Sequence, residues 1–216
     1  MTIIFDLDGT LINTIADLGL ACNHALACAG YPTHELAEYP HLVGNGVNKL
    51  IERALPASAK QDQQQMETEI QRLRKDFIPY YNAHNCDHTV PYEGMKEVLA
   101  TLKQRGAKLA VASNKYQEAT RKIIDHYFPS TFDVVFGERE GVPRKPDPQV
   151  VHDILALLPD EKVVYVGDSL VDIATARNAG LPVIACSWGF VSREELAAAK
   201  PDYLIDTTRE ILNYTL

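Results

Sequence analysis

From Met95 onward the chain alternates amphipathic stretches with short apolar, β-branched runs, and this alternation restricts the fold more than any other feature of the sequence. Met95 to Arg105 carries apolar residues at helical spacing and stops at Gly106, and Leu109 to Ala112 then reads as a strand. Helices over Ala119 to Tyr127, Val150 to Leu158 and Ile173 to Ala179 alternate with strands over Val134 to Phe136, Val163 to Val166 and Val183 to Cys186. A strand at Tyr203 to Ile205 and a C-terminal helix close the chain. Strands that are apolar on both faces and joined by helices predict a parallel α/β sheet covered by helices on both faces. The short apolar strand Thr2 to Asp6 belongs to that sheet, because a lone strand has no other partner.

Between this first strand and the alternating part the pattern is helical throughout. Thr14 followed by Asp17 resembles a capping box, and Ile15, Leu18, Cys22, Ala25, Leu26 and Ala29 recur at helical spacing up to Gly30. A second helix is expected over Val47 to Leu55, closed by Pro56. A third carries Met66, Ile70, Leu73 and Phe77 on one stripe, after the glutamine-rich tract Gln61-Asp62-Gln63-Gln64-Gln65. The polar stretch Asn82 to His88 reads as a linker. Residues 1–13 and 85–216 are therefore expected to form the sheet domain, and 14–84 a helical insertion after the first strand.

Composition narrows the function classes. With 21 Lys+Arg against 29 Asp+Glu, a formal charge of −8, there is no basic excess to favour nucleic acid or an anionic membrane. No apolar run is long enough to span a bilayer, and the N-terminus has no basic region followed by a cleavage site, so a cytoplasmic location is expected. Cys22, Cys28, Cys86 and Cys186 show no C-x-x-C pair or zinc-like spacing, and read as reduced, mostly buried thiols.

In parallel sheets ligands gather at the carboxyl ends of strands, and here those ends are polar. The first strand ends in Asp6-Leu7-Asp8-Gly9-Thr10, and another in Ala112-Ser113-Asn114-Lys115. Lys145-Pro146-Asp147-Pro148 opens a helix, and the strand through Val166 ends in Gly167-Asp168-Ser169, with Asp172 one helical turn on. Each residue alone has an ordinary reading: a strand-end aspartate is usually a turn or cap residue, and a lysine is usually solvated. Four carboxylates, a hydroxyl and a lysine at converging strand ends instead form an inventory for a hard cation and a phosphate, with Mg²⁺ the best match.

In order and spacing these four stretches resemble the motifs of the haloacid dehalogenase superfamily, and the helical insertion is similar to that family's small α-helical cap. The resemblance covers nearly the whole chain and implies a Rossmann-like core. Within the family it points to the phosphoglycolate phosphatase branch, through Trp188-Gly189-Phe190 and a Gly44-Asn45-Gly46 turn in the insertion. It implies a phosphatase acting on a small phosphorylated metabolite, as a monomer or homodimer. Asp6 would be the nucleophile that becomes an aspartyl phosphate, and Asp8 the acid–base group. Mg²⁺ would lie between the Asp6 carboxylate, the Asp8 backbone carbonyl and Asp168, with Asp172 supporting the metal's waters. Gly9, Thr10, Ser113, Asn114 and Lys145 would hold the phosphate, with Lys145 also offsetting charge on Asp6.

Several readings stay open at this stage. Asn13-Thr14 stands where many relatives carry an aspartate and a serine, which removes a negative charge near the cap junction. Asp8 argues against dehalogenase chemistry, since dehalogenase relatives lack that second aspartate. Lys49 is a conceivable Schiff-base lysine for a phosphonate hydrolase. β-Phosphoglucomutase-like transfer and pyrophosphate hydrolysis use the same core, and a non-catalytic phospho-ligand binding module is the rival from another class. Trp188 reads equally as packing or as substrate-adjacent. The Gly44-Asn45-Gly46 turn is either a helix breaker or a loop that helps choose the substrate. Motion of the cap, hinged near Asn13 and the Asn82–Cys86 stretch, is expected to gate access.

Overall fold

The computed structural model describes residues 1–60 and 62–215, so Gln61 of the glutamine-rich tract lies outside the described residues. In chain order the elements are β1 (Thr2–Phe5), β2 (Ile12–Asn13), α1 (Ile15–Cys28), α2 (Tyr39–Leu42), α3 (Val47–Ala54), α4 (Gln63–His84) and β3 (Val90–Pro91). They continue with α5 (Met95–Gln104), β4 (Lys108–Tyr116), α6 (Gln117–Tyr127), β5 (Val134–Glu138), α7 (Gln149–Leu157) and β6 (Val163–Gly167). The chain closes with α8 (Leu170–Asn178), β7 (Val183–Cys186), α9 (Arg193–Ala198) and β8 (Tyr203–Ile205). The expected C-terminal helix is a 3₁₀ segment, Thr208–Asn213. The chain divides into two compact units, Met1–Asn13 with Val90–Leu216, and Thr14–Thr89.

The first unit is built on a six-stranded sheet of order β5-β4-β1-β6-β7-β8, with every pairing parallel. β1 is central, and Ile3, Ile4 and Phe5 are fully buried, as a strand covered on both faces requires. On one face Ile4, Ala110, Ala112, Tyr165, Val183 and Ala185 pack against Val151 and Ile154 of α7, Ile173 and Ala176 of α8, and Leu196 of α9. The sheet is extended from β1 to β4 and β5 on one side, then to β6, β7 and β8 on the other. β1 is therefore the switch point at which such sheets bind ligands. Register places Phe5 beside both Val111 and Val166, so Asp6, Ser113 and Asp168 lie just beyond aligned positions on three adjacent strands. The short antiparallel pair of β2 and β3 was not foreseen, because two residues per strand leave no periodic signal.

The second unit is helical. Leu18, Ala21, Cys22, Ala25 and Leu26 of α1 are buried, as are Ile70, Leu73, Phe77 and Tyr81 of α4. α4 runs to His84, so Asn82, Ala83 and His84 are helical rather than part of a linker. The unit extends to Thr89, beyond the expected boundary at 84, for a specific reason. The buried Asp17 carboxylate accepts the backbone N–H groups of His88 (3.0 and 3.1 Å) and Thr89 (2.9 Å), tying that segment to α1. The same bonds explain why the expected capping box is not formed: Thr14 is the N-cap of α1, but its side chain makes no capping bond.

The Gly44-Asn45-Gly46 turn separates α2 from α3, with φ of 111°, 63° and 83° at its three residues. Left-handed backbone at three successive positions explains the two glycines. Arg53 Nη1 donates to the carbonyls of Leu42, Val43 and Gly44 at 3.0, 2.9 and 3.1 Å, holding the turn's entry strand. None of the four cysteines is in a disulfide; Cys22 and Cys186 are buried as expected, whereas Cys28 is exposed.

Candidate active site

Asp6 is the first residue past β1, and its N–H donates to the Val166 carbonyl at 2.9 Å, continuing the ladder to β6. The chain then turns sharply: the Leu7 carbonyl accepts from Thr10, Leu11 and Ile12, and Leu7 itself is fully buried. Gly9 adopts φ +86°, and a side chain there would overlap the Asp168 carboxylate. Both conformation and close approach therefore require glycine at this position.

Carboxylate oxygens of Asp6, Asp168 and Asp172 lie within 4.8 Å of one another. Asp168 is gripped from several sides. Its Oδ1 accepts from Thr10 Oγ1 at 3.0 Å and its Oδ2 from the Phe190 N–H at 2.8 Å. A Cβ on Gly189 would also overlap this carboxylate, so glycines on both flanks leave the room it occupies. Asp172, fully buried at the first turn of α8, forms a capping box with Ser169. Its Oδ1 accepts from Lys145 Nζ at 2.8 Å and from the Tyr165 hydroxyl at 3.2 Å. A side chain on Gly167 would strike Asp172 in the same way.

Lys145 lies at the centre of these charges. Its Nζ is 2.9 Å from Asp6 Oδ1, 2.8 Å from Asp172 Oδ1 and 3.1 Å from Tyr165 Oη, with its side chain 3% exposed. The Asn114 amide holds the Lys145 main chain at both ends, Oδ1 accepting its N–H at 2.9 Å and Nδ2 donating to its carbonyl at 3.1 Å. The Asn114 side chain thus positions the lysine. Ser113 is buried and its Oγ accepts the Lys115 N–H at 3.1 Å. Of the other expected phosphate ligands, the Thr10 hydroxyl is directed to Asp168, and the Gly9 and Thr10 N–H groups donate to the Ile12 and Leu7 carbonyls at 3.0 and 3.3 Å.

Electrostatics follow from this crowding. Burial and the neighbouring Asp172 push the Asp6 carboxyl up to about 7, against the pull of Lys145. Burial, with Asp172 and Asp6, holds Asp168 well above the usual carboxylate range. Burial alone would lower the Lys145 ammonium, but Asp172 and Asp6 carry it well above its ordinary value. One lysine does not balance three converging carboxylates. A divalent cation fits here on two observations: the all-oxygen donor set, and three converging carboxylates opposed by the single ammonium of Lys145.

Asp8 is directed elsewhere. Its Oδ1 accepts from Lys115 Nζ at 2.8 Å, and that lysine's side chain is 4% exposed. Lys115 was visible in the polar strand end but carried no assigned role. Tyr165 gave no signal at all, since it stands mid-strand in β6 among apolar residues. Trp188, ambiguous in sequence, donates its indole N–H to the Thr10 carbonyl at 3.0 Å and so braces the Asp8–Thr10 turn. No helix among the described residues is long and apolar enough to cross a membrane.

Comparison with known proteins agrees with this arrangement. The profile of haloacid dehalogenase-like hydrolases matches residues 3–186. A phosphoglycolate phosphatase of Cereibacter sphaeroides (strain ATCC 17025 / ATH 2.4.3) is 38% identical over 180 residues, covering 83% of this chain and 81% of the relative. That of Pasteurella multocida is 33% identical over 213 residues, covering 96% and 95%. A crystal structure from Lactobacillus delbrueckii subsp. bulgaricus, of a protein provisionally named a phosphoglycolate phosphatase, superposes with a TM-score of 0.92. It shares 34% identity and covers 100% of this chain and 98% of its own. By sequence, fold and the constellation at its strand ends, the chain belongs to the haloacid dehalogenase-like hydrolase family, and among these to its phosphatases.

Proposed function

We propose that the protein is a Mg²⁺-dependent phosphomonoester hydrolase acting on a small phosphorylated metabolite, phosphoglycolate foremost. The observation that carries this reading is Asp6 at the end of the central strand, 2.9 Å from Lys145 and clustered with Asp168 and Asp172. Phosphoryl transfer depends on alignment and charge neutralisation, and this is a set of groups suited to both.

In this reading an Asp6 carboxylate oxygen attacks phosphorus in line. A P–O bond forms to Asp6 as the bond to the leaving oxygen breaks, and Asp8 gives that oxygen its proton. Asp8 then takes a proton from water, which attacks phosphorus and returns Asp6 as a carboxylate with release of inorganic phosphate. Lys145 offsets the charge on Asp6 and the phosphoryl group, and the Ser113 hydroxyl donates to a phosphoryl oxygen. Mg²⁺ would be held by the Asp6 and Asp168 carboxylates and the Asp8 carbonyl, with Asp172 supporting from behind. When bound, it supplies positive charge against the phosphoryl oxygens.

The test is hydrolysis of a panel containing phosphoglycolate, sugar phosphates, nucleoside monophosphates and pyrophosphate, with EDTA and Mg²⁺ added in turn. Phosphoglycolate is expected to lead, EDTA to stop turnover and Mg²⁺ to restore it. The Asp6→Asn variant is expected to fold but be inactive. Wild-type-like turnover by that variant would remove Asp6 as the nucleophile.

A further inference from the structure

Tyr165 stands mid-strand in β6, fully buried in the apolar cluster that includes Ile4, Ala112, Ile173 and Ala176. A phenylalanine would serve the packing there, and a buried hydroxyl is costly unless it is hydrogen-bonded, so the hydroxyl calls for a reason. Its partners supply one. Tyr165 Oη accepts from Lys145 Nζ at 3.1 Å, and its single proton is directed to Asp172 Oδ1 at 3.2 Å or to the Ala112 carbonyl at 3.3 Å. β6 and β4 flank β1, so this hydroxyl reaches across to the far neighbour of the strand that ends at Asp6.

The Lys145 ammonium makes hydrogen bonds to Tyr165 and, at 2.8 Å, to Asp172 Oδ1. Asp6 Oδ1 lies only 2.9 Å from the same nitrogen, yet it is buried and takes no hydrogen bond. The approach to Asp6 is thus an ion pair without hydrogen-bond alignment. We infer that Tyr165 is a positioning residue for the attack on phosphorus: with Asp172 it turns the ammonium so that Lys145 gives Asp6 its charge but no hydrogen bond.

The inference rests on the proposed role of Asp6 as nucleophile and deepens it. A hydrogen bond to a carboxylate stabilises its charged form, and that stabilisation fades as the oxygen's charge passes to phosphorus. A carboxylate free of such a bond therefore attacks over a lower barrier. When water later displaces Asp6 from phosphorus, the carboxylate is the leaving group, and the same hydrogen bond would help rather than hinder. Tyr165→Phe keeps the ring and removes the hydroxyl. The buried ammonium then lacks one acceptor, and Asp6 Oδ1 is an acceptor without a hydrogen bond already within reach.

The experiment follows p-nitrophenyl phosphate by rapid mixing in saturating Mg²⁺, in wild type and in Tyr165→Phe. Nitrophenolate release reads the attack by Asp6, and decay of acid-quenched phosphoenzyme reads its hydrolysis. The variant is expected to slow the first step by about 10- to 100-fold, the effect of one hydrogen bond to a charged group. The half-saturating substrate concentration should stay unchanged and the second step should not slow. An unchanged first step would overturn the inference. So would slowing of both steps or weaker substrate binding, which are the marks of a merely structural role. A high-resolution crystal structure of the wild type supplies a reading that needs no variant. Lys145 is expected to bond Tyr165 and Asp172, and a Lys145–Asp6 hydrogen bond in place of the one to Tyr165 would overturn the inference while leaving the phosphatase reading intact. Absence of any phosphoenzyme in wild type would overturn both readings together.

Discussion

Removing Lys145 offers the most demanding test of how this site is held together. At an effective dielectric near 20, an ammonium and a carboxylate at the 2.8 Å separation of Lys145 and Asp172 attract by about 6 kcal/mol before desolvation is counted. The second contact, to Asp6 at 2.9 Å, adds to this, but withdrawing all three groups from water cancels much of it. What survives is the cost of breaking the cluster unevenly. Lys145→Met leaves two buried carboxylates facing each other and is expected to destabilise the sheet unit by about 3–5 kcal/mol. For a chain of this size that lowers Tm by roughly 6–20 °C. Asp172→Asn keeps the lysine paired with Asp6 and should cost less, about 1–3 kcal/mol. The double variant should then be more stable than the sum of the single effects implies, by about 2 kcal/mol. The assay is urea unfolding in EDTA followed by tryptophan fluorescence. The chain has one tryptophan, Trp188, and it lies in the sheet unit, so the signal reports that unit. Single effects that add to within about 0.5 kcal/mol would refute the argument, because residues in direct ionic contact should not be independent.

Two further outcomes follow from particular contacts. Asp17→Ala leaves the buried amides of His88 and Thr89 without their acceptor, and should destabilise the helical unit by about 1–3 kcal/mol. Hydrogen exchange should quicken at those amides and not in β1, and unchanged protection at His88 and Thr89 would contradict the assignment. Gly189→Ala forces a methyl group into the space of the Asp168 carboxylate, and under the proposed metal assignment should weaken Mg²⁺ affinity by about 10- to 100-fold, read from Trp188 fluorescence. Unaltered affinity would mean that Asp168 need not keep its present orientation to hold the ion.

Most of the architecture was legible in the sequence because it is written in local periodicity. Strands buried on both faces must be apolar along their length, and helices between them must carry a stripe, so Val163–Gly167 or Val183–Cys186 could be read without any knowledge of their neighbours. The site was legible for a related reason. One polar residue at a strand end is usually a turn or cap residue, but Asp6, Asp8, Ser113 and Asp168 stand out together because they follow apolar strands of one parallel sheet. Where a local reading failed, a distant partner had taken the group concerned. Asp17 looks like half of a capping box with Thr14, yet its carboxylate is used by amides 71 and 72 residues away. The same contact moves the end of the helical unit to Thr89.

The sequence alone therefore determined the layered sheet, the insertion after its first strand and the identity of the acidic groups. Only the tertiary structure decided how those groups are paired: Asp8 with Lys115, Asp6 and Asp172 with Lys145, Asp168 with Thr10 and the Phe190 amide, and Trp188 with the Thr10 carbonyl. The physical reason is range. Periodicity is imposed within one element by its own backbone geometry, whereas the partner of a buried charge is chosen by which strands lie side by side. For Thr10 and Asp168 that choice spans 158 residues, and no local pattern records it.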